Sequence, residues 1–155
     1  MPKYHQGKYK VRNLKKYKGD ATEVVWRSSW ELLILKWLDM NPACIEFSSE
    51  EIVIPYYSPV DEKMHRYFVD FLATFQYPTG EVKKFLIEVK PKAQTMIPAK
   101  GTKRDKRYLL ECQTYAVNDA KWKAALQYCQ ERNWIFKIIT EDDLGISNKT
   151  KKANR

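Results

Sequence analysis

The chain has 155 residues, the length of one domain, and its 44% hydrophobic and 14% aromatic content is enough to build a sizeable core. No apolar run approaches the ~20 residues needed to cross a bilayer, which excludes a helical membrane protein. Cys44, Cys112 and Cys129 are odd in number and widely spaced, so they read as buried thiols rather than a disulfide framework or a zinc cluster. The net charge of +9 points to a polyanionic partner. The basic N terminus is not followed by the apolar stretch of a signal peptide, so the expected location is the cytoplasm.

Residues 1–19 carry Lys3, Lys8, Lys10, Arg12, Lys15, Lys16 and Lys18, with Tyr4, Tyr9 and Tyr17 interleaved and no acidic residue. This pattern predicts a flexible basic arm that neutralises phosphates and stacks aromatics on bases. The competing reading is a disordered solubilising tail. Trp30, Leu33, Ile34, Trp37 and Leu38 have the spacing of an amphipathic helix, ended by Asn41-Pro42. Residues 51–56 read as a strand stopped by the turn at Pro59, and residues 65–76 as the next. Tyr77-Pro78-Thr79-Gly80 then returns the chain as a hairpin into a strand over residues 82–90.

A second basic stretch follows: Lys92, Lys100, Lys103, Arg104, Lys106 and Arg107 lie in a loop over residues 91–103 and at the start of a helix over residues 105–117. Asn118-Asp119 is expected to cap a further helix, whose apolar stripe is Trp122, Ala125, Leu126 and Cys129 and which Asn133 ends. The run at residues 134–140 is rich in β-formers and follows a helical crossover. A mixed sheet with helices on its faces results, in the α/β (α+β) class. Residues 146–155 form a basic tail.

Asp70 and the tripeptide Glu88-Val89-Lys90 carry the chemistry. Strand side chains alternate, so Glu88 and Lys90 share one side. A turn centred near Thr79 sets Asp70 and Glu88 nearly opposite each other across the hairpin. The hard oxygens of two carboxylates suit Mg²⁺ or Mn²⁺, and an ammonium beside them can orient or deprotonate water or neutralise charge on a phosphate. Such an E-x-K triplet on a strand also occurs as a solvated salt-bridging edge. The apolar Phe85-Leu86-Ile87 before it and Pro91 after it place this one at the end of a buried strand. Glu31 has two readings: Ser28-Ser29-Trp30-Glu31 fits the capping box, and the same carboxylate can hold a metal-bound water or a second ion. Gln113 is equally divided between a surface residue and a site residue. His65 has opposite strand parity to Asp70 and His5 lies in the basic arm, which leaves almost no material for a Ser-His-Asp or zinc-hydrolase reading.

Glu31, Asp70, Glu88-Val89-Lys90 and Gln113, in that order, resemble the restriction-endonuclease-like PD-(D/E)XK superfamily. Trp26-Arg27-Ser28-Ser29-Trp30-Glu31 is similar to a helix signature of the head-completion nucleases of T-even-type phages. So are Lys16-Tyr17-Lys18-Gly19-Asp20, Ser48-Ser49-Glu50-Glu51, Ile54-Pro55-Tyr56, His65-Arg66-Tyr67-Phe68-Val69-Asp70-Phe71 and Ile87-Glu88-Val89-Lys90-Pro91-Lys92. The resemblance implies an α-β-β-β-α-β core and a nuclease domain over residues 20–145. It implies a Mg²⁺- or Mn²⁺-dependent deoxyribonuclease, an endonuclease or an exonuclease, acting on packaged DNA before the tail joins. Asp70, Glu88 and the Val89 carbonyl would bind the ion, with Glu31 as a further ligand. Lys90 would assist the water and Gln113 complete the site.

The DNA contacts would come from Lys8, Lys10, Arg12, Lys15, Lys16 and Lys18 of the arm and from Lys92, Lys100, Lys103, Arg104, Lys106 and Arg107. The implied partners are DNA and portal or neck proteins of the capsid, in the host cytoplasm or on the virion, with no membrane and no small-molecule substrate. Val69 replaces the proline that often precedes the first strand acid of the superfamily. The rival readings are a Holliday-junction resolvase or transposon-end nuclease of the same fold, and a non-catalytic DNA-binding protein of the capsid neck.

Overall fold

A computed structural model describes residues 6–146. In chain order the elements are β1 (Gly7–Lys8), β2 (Val25–Trp26), α1 (Ser29–Met40), β3 (Cys44–Ser49), β4 (Val53–Ser58), β5 (Lys63–Phe68), β6 (Phe71–Gln76), β7 (Val82–Val89), α2 (Asp105–Arg132) and β8 (Ile135–Ile139). Four strands make the central sheet in the order β3-β6-β7-β8. The first three run antiparallel to their neighbours, and β8 lies parallel to β7. A parallel partner requires a crossover, which α2 supplies. The sheet and its two helices thus follow the expected α-β-β-β-α-β order.

Each face of the sheet is covered by one helix. Leu35 and Leu38 of α1 pack with Phe47, Phe71, Ala73 and Ile87 on one side, while Ala125 and Cys129 of α2 pack with Leu86 on the other. The buried face of α1 is Ile34, Leu35, Leu38 and Asp39, whereas Leu33 and Trp37 are about half exposed. The stripe read from periodicity is therefore rotated, because α1 also seats the N-terminal segment through Asp39. Cys44 and Cys129 are buried thiols, and Cys112 is only half-buried.

That segment is not a flexible arm over the residues described. Val11 and Tyr17 are buried, and β1 pairs with β2. The fully buried Asp39 carboxylate accepts hydrogen bonds from Tyr9 Oη at 2.6 Å, Arg12 N at 2.8 Å and Asn13 N at 3.0 Å. Burial raises the Asp39 pKa, but these donors outweigh it and hold the carboxyl below its ordinary value. Lys16 Nζ donates to the main-chain carbonyls of Leu38, Asp39 and Asn41 at 2.7, 2.8 and 3.0 Å, closing the C terminus of α1. Lys3, Tyr4, His5 and most of the basic tail lie outside the described residues.

Three expectations about the elements change. The first core strand is β3, which was not read from the sequence; the strand expected at residues 51–56 is β4, paired with β5 in a separate two-stranded ribbon. The single strand expected at residues 65–76 is two, β5 and β6, because the chain passes from ribbon to sheet at Val69-Asp70. The neighbouring chain makes the same passage at Glu50, with φ 55°, and Glu50 N donates to Asp70 O at 2.9 Å. The two helices expected over residues 105–133 are one, since Asn118 is buried inside α2 and Asp119 pairs with Lys123 at 2.8 Å across one helical turn. Asn133 ends α2 in the left-handed conformation, φ 62°.

Candidate active site

The hairpin β6–β7 positions the two central acids. Its register pairs Phe71 with Ile87, so Asp70 and Glu88 are the next residues along each strand and sit across from each other. Asp70 has left the ladder, which frees its carboxylate: Oδ2 accepts from Val89 N at 2.8 Å. Glu88 is buried and its Oε2 accepts from the Tyr67 hydroxyl, held in place by β5. Lys90 Nζ stands 3.9 Å from Glu88 Oε1, two residues further along the strand.

Glu31, Asp70, Glu88, Val89 and Lys90 line one pocket of about 180 Å³, together with Pro91 and Gln94. Glu31 joins it while capping α1. Ser28 Oγ accepts from Glu31 N at 3.2 Å, and Glu31 Oε2 accepts from Arg27 N at 2.8 Å, one residue before the helix cap. Glu31 thus caps the helix and lines the pocket at once.

Charge in this pocket is unbalanced. Burial, then the charges of Glu88 and Glu31, push the Asp70 carboxyl well above its ordinary pKa, against the Val89 N–H and Lys90. Burial also raises Glu88, although the Tyr67 hydroxyl, Lys90 and Lys121 oppose it, and burial raises Glu31. Three carboxylates around one small volume favour a cation there. Among the described residues no three His, Cys, Asp or Glu side chains close around a single point. Asp70 and Glu88 give two facing carboxylates, a donor set smaller than an all-protein cation cage.

Gln113 does not line this pocket. It lies in the adjoining cleft on α2, which shares Lys90 with the carboxylates. Of the basic residues read as DNA contacts, Lys16 donates to the carbonyls at the end of α1. Lys8 pairs with Glu23, Lys18 with Glu46, Lys92 with Asp142, Lys100 with Asp105, and Lys103 and Arg107 with Glu111. Exposed pairs of this kind contribute little to stability, while Lys103–Glu111 is half-buried. Lys10, Arg12, Lys15, Arg104 and Lys106 have no carboxylate within salt-bridge distance among the described residues. Lys103 and Arg107 border a concavity of about 730 Å³ between the basic loop and α2.

Four further residues shape the site and were not read as site residues from the sequence. Tyr67 holds Glu88. Arg27 makes a two-pronged pair with Glu50, Nε to Oε1 at 2.9 Å and Nη2 to Oε2 at 3.2 Å, beside Glu31. Lys121 is half-buried on α2 and its pKa is lowered by burial and by Lys90. A signal for Lys121 existed, since Gln113, Val117 and Lys121 recur at intervals of four on one helix face. Placing a helix boundary at Asn118-Asp119 hid it.

Residues 41–141 match the family described as TnsA-like endonuclease N terminal. The chain is also 40% identical over 144 residues to the head completion nuclease of Enterobacteria phage T4, across 90% of this chain and 93% of that protein. With an α-β-β-β-α-β core that sets two acids and a lysine at the end of a hairpin, and a match spanning most of its length, the chain belongs to the TnsA-like endonuclease family.

Proposed function

We propose that this chain is a DNA nuclease of phage head completion, hydrolysing phosphodiester bonds with Mg²⁺ or Mn²⁺ held by Asp70 and Glu88. Its kinship with the phage T4 head completion nuclease supports the biological setting. The observation that carries the chemistry is the placing of Asp70 opposite Glu88, with the Lys90 ammonium 3.9 Å from the Glu88 carboxylate.

In this reading the Val89 carbonyl and Glu31 complete the oxygen donors around the ion. A bound divalent ion supplies Lewis acidity toward a phosphoryl oxygen and a more acidic water. Tyr67 fixes the orientation of Glu88, and the Val89 N–H fixes that of Asp70. Lys90 orients the attacking water and neutralises charge that develops on the phosphate. Gln113, across Lys90, contacts the DNA backbone from α2. The exposed Lys and Arg side chains around the pocket supply salt-sensitive attraction to the duplex. Exonucleolytic trimming at DNA ends belongs to the same proposal, as do action on packaged DNA in the host cytoplasm or on the virion and docking to portal or neck proteins. The family match favours transposon-end cleavage as a second reading, with the same chemistry on a different DNA geometry.

A nicking assay on closed circular plasmid, run beside linear duplex, tests the proposal. Cutting is expected with Mg²⁺ or Mn²⁺ and not in EDTA, and loss of cutting is expected in folded Asp70→Ala, Glu88→Ala and Lys90→Ala. Wild-type rates in EDTA, or in the Asp70 variant, would remove the metal-dependent site. Shortening of linear DNA without nicking of circles would make the enzyme an exonuclease alone.

A further inference from the structure

We propose that Asn118 and Lys121 of α2, with Gln113 and Lys90, form a second phosphate subsite that grips the DNA strand at a phosphate next to the one being cut. The proposal rests on the nuclease reading and assigns substrate contacts to two residues outside the carboxylate pocket. The subsite is a cleft of about 380 Å³ that adjoins that pocket through Lys90. Its polar lining is two ammonium groups, two amides and the Thr114 hydroxyl, with no carboxylate among its residues.

Two observations point to an anion there. Asn118 is 4% exposed, yet its Nδ2 has no hydrogen-bond partner. Buried donors are almost always satisfied, and an unpaired one on a residue that lines the cleft can meet an acceptor brought by a ligand. Lys121 is the second. Its half-buried ammonium rests 5.7 Å from the ring of Tyr56 and 5.5 Å from that of Tyr67, and no carboxylate lies within salt-bridge distance among the described residues. The ring faces hold the ammonium in position without neutralising it. A phosphodiester supplies the direct partner both lack: non-bridging oxygens that accept from the amide and from the ammonium. Since Lys90 faces both cavities, a strand gripped here presents its neighbouring phosphate to Asp70 and Glu88.

The test uses the full chain and a fluorophore-labelled DNA duplex of defined sequence, with two readouts. Binding is measured in EDTA across a range of KCl, and single-turnover cleavage in Mg²⁺ across a range of protein concentration. Lys121→Met keeps the aliphatic stem over the rings. It is expected to weaken binding about tenfold and flatten the plot of log affinity against log salt by about one unit. It should raise the half-saturating protein concentration more than it lowers the maximal rate. Lys121→Arg should restore both, which a packing role would not require. Asn118→Asp, nearly the same size but negative, should weaken binding in the same direction, with thermal unfolding checked on the same preparation. If that variant does not fold, the Met and Arg pair decides alone. A wild-type salt slope and half-saturation in Lys121→Met would overturn the subsite. If the wild type binds DNA but never cuts it, the nuclease reading fails, while the binding measurements in EDTA still decide whether the subsite exists.

Discussion

Replacing Tyr67 with Phe removes one oxygen and tests how the site holds Glu88, the proposed metal ligand. The Tyr67 ring is 3% exposed and packs edge-on against Tyr56 with centroids 6.5 Å apart, so Phe fills the same space and keeps the surface under Lys121. What disappears is the hydroxyl donor to Glu88, a side chain that is 6% exposed. A hydrogen bond to a charged group contributes about 1.5–3 kcal/mol, and ~1.4 kcal/mol is a factor of ten. The loss falls on the ionised, correctly turned carboxylate, because burial already raises the Glu88 pKa and the hydroxyl is the foremost opposing influence. Tyr67→Phe is therefore expected to need roughly ten- to a hundredfold more Mg²⁺ for half-maximal single-turnover cleavage. Near-wild-type folding should accompany this, since an uncompensated Glu88 can take up a proton. Titrating Mg²⁺ at saturating protein reads the effect directly. An unchanged Mg²⁺ midpoint and rate would show that Tyr67 only packs, and would refute its role in orienting Glu88.

Glu31→Gln separates the two jobs of that side chain. The amide oxygen still accepts from Arg27 N, so melting should stay near wild type, while cleavage slows at least about tenfold, ~1.4 kcal/mol in transition-state stabilisation. Full activity with unchanged melting would leave Glu31 as a helix cap alone. Asp39→Asn concerns the N-terminal segment: an amide turned to accept from Arg12 N or Asn13 N brings its NH₂ against another donor. A cost of about 2–4 kcal/mol is expected, or ~5–15 °C in melting temperature. Because the folded-state pKa of Asp39 is depressed, its contribution is fully present above the ordinary carboxylate pKa and fades as pH falls through the folded value. Urea unfolding of wild type and variant should therefore differ most near neutral pH and converge in acid. A gap independent of pH would assign the effect to packing instead.

Much of the site was legible because it is built by short-range rules. The turn Tyr77-Pro78-Thr79-Gly80 joins two strands directly, and a hairpin register follows from its turn, so Asp70 and Glu88 could be set opposite each other from the sequence. Strand alternation placed Lys90 beside Glu88 in the same way, and the capping box of Glu31 needed only Ser28 three residues earlier. Elements whose partners are distant could not be read. Residues 6–19 look like a solvated arm because their partner, Asp39, sits in a separate helix, where its four-residue neighbourhood gives no hint that it will be buried. Val69-Asp70 lies inside an unbroken run of β-formers. Only the competition between β4 and β3 for the two halves of that run divides it and releases the Asp70 carboxylate. The cleft around Lys121 required α2 to continue through Asn118, which burial against the rest of the fold achieves in spite of the local preference of asparagine for helix ends. Periodicity and turn chemistry act over a few residues and are written in the chain. Burial belongs to the whole folded molecule, and it decides which polar groups are held, which are released and which face an open cleft.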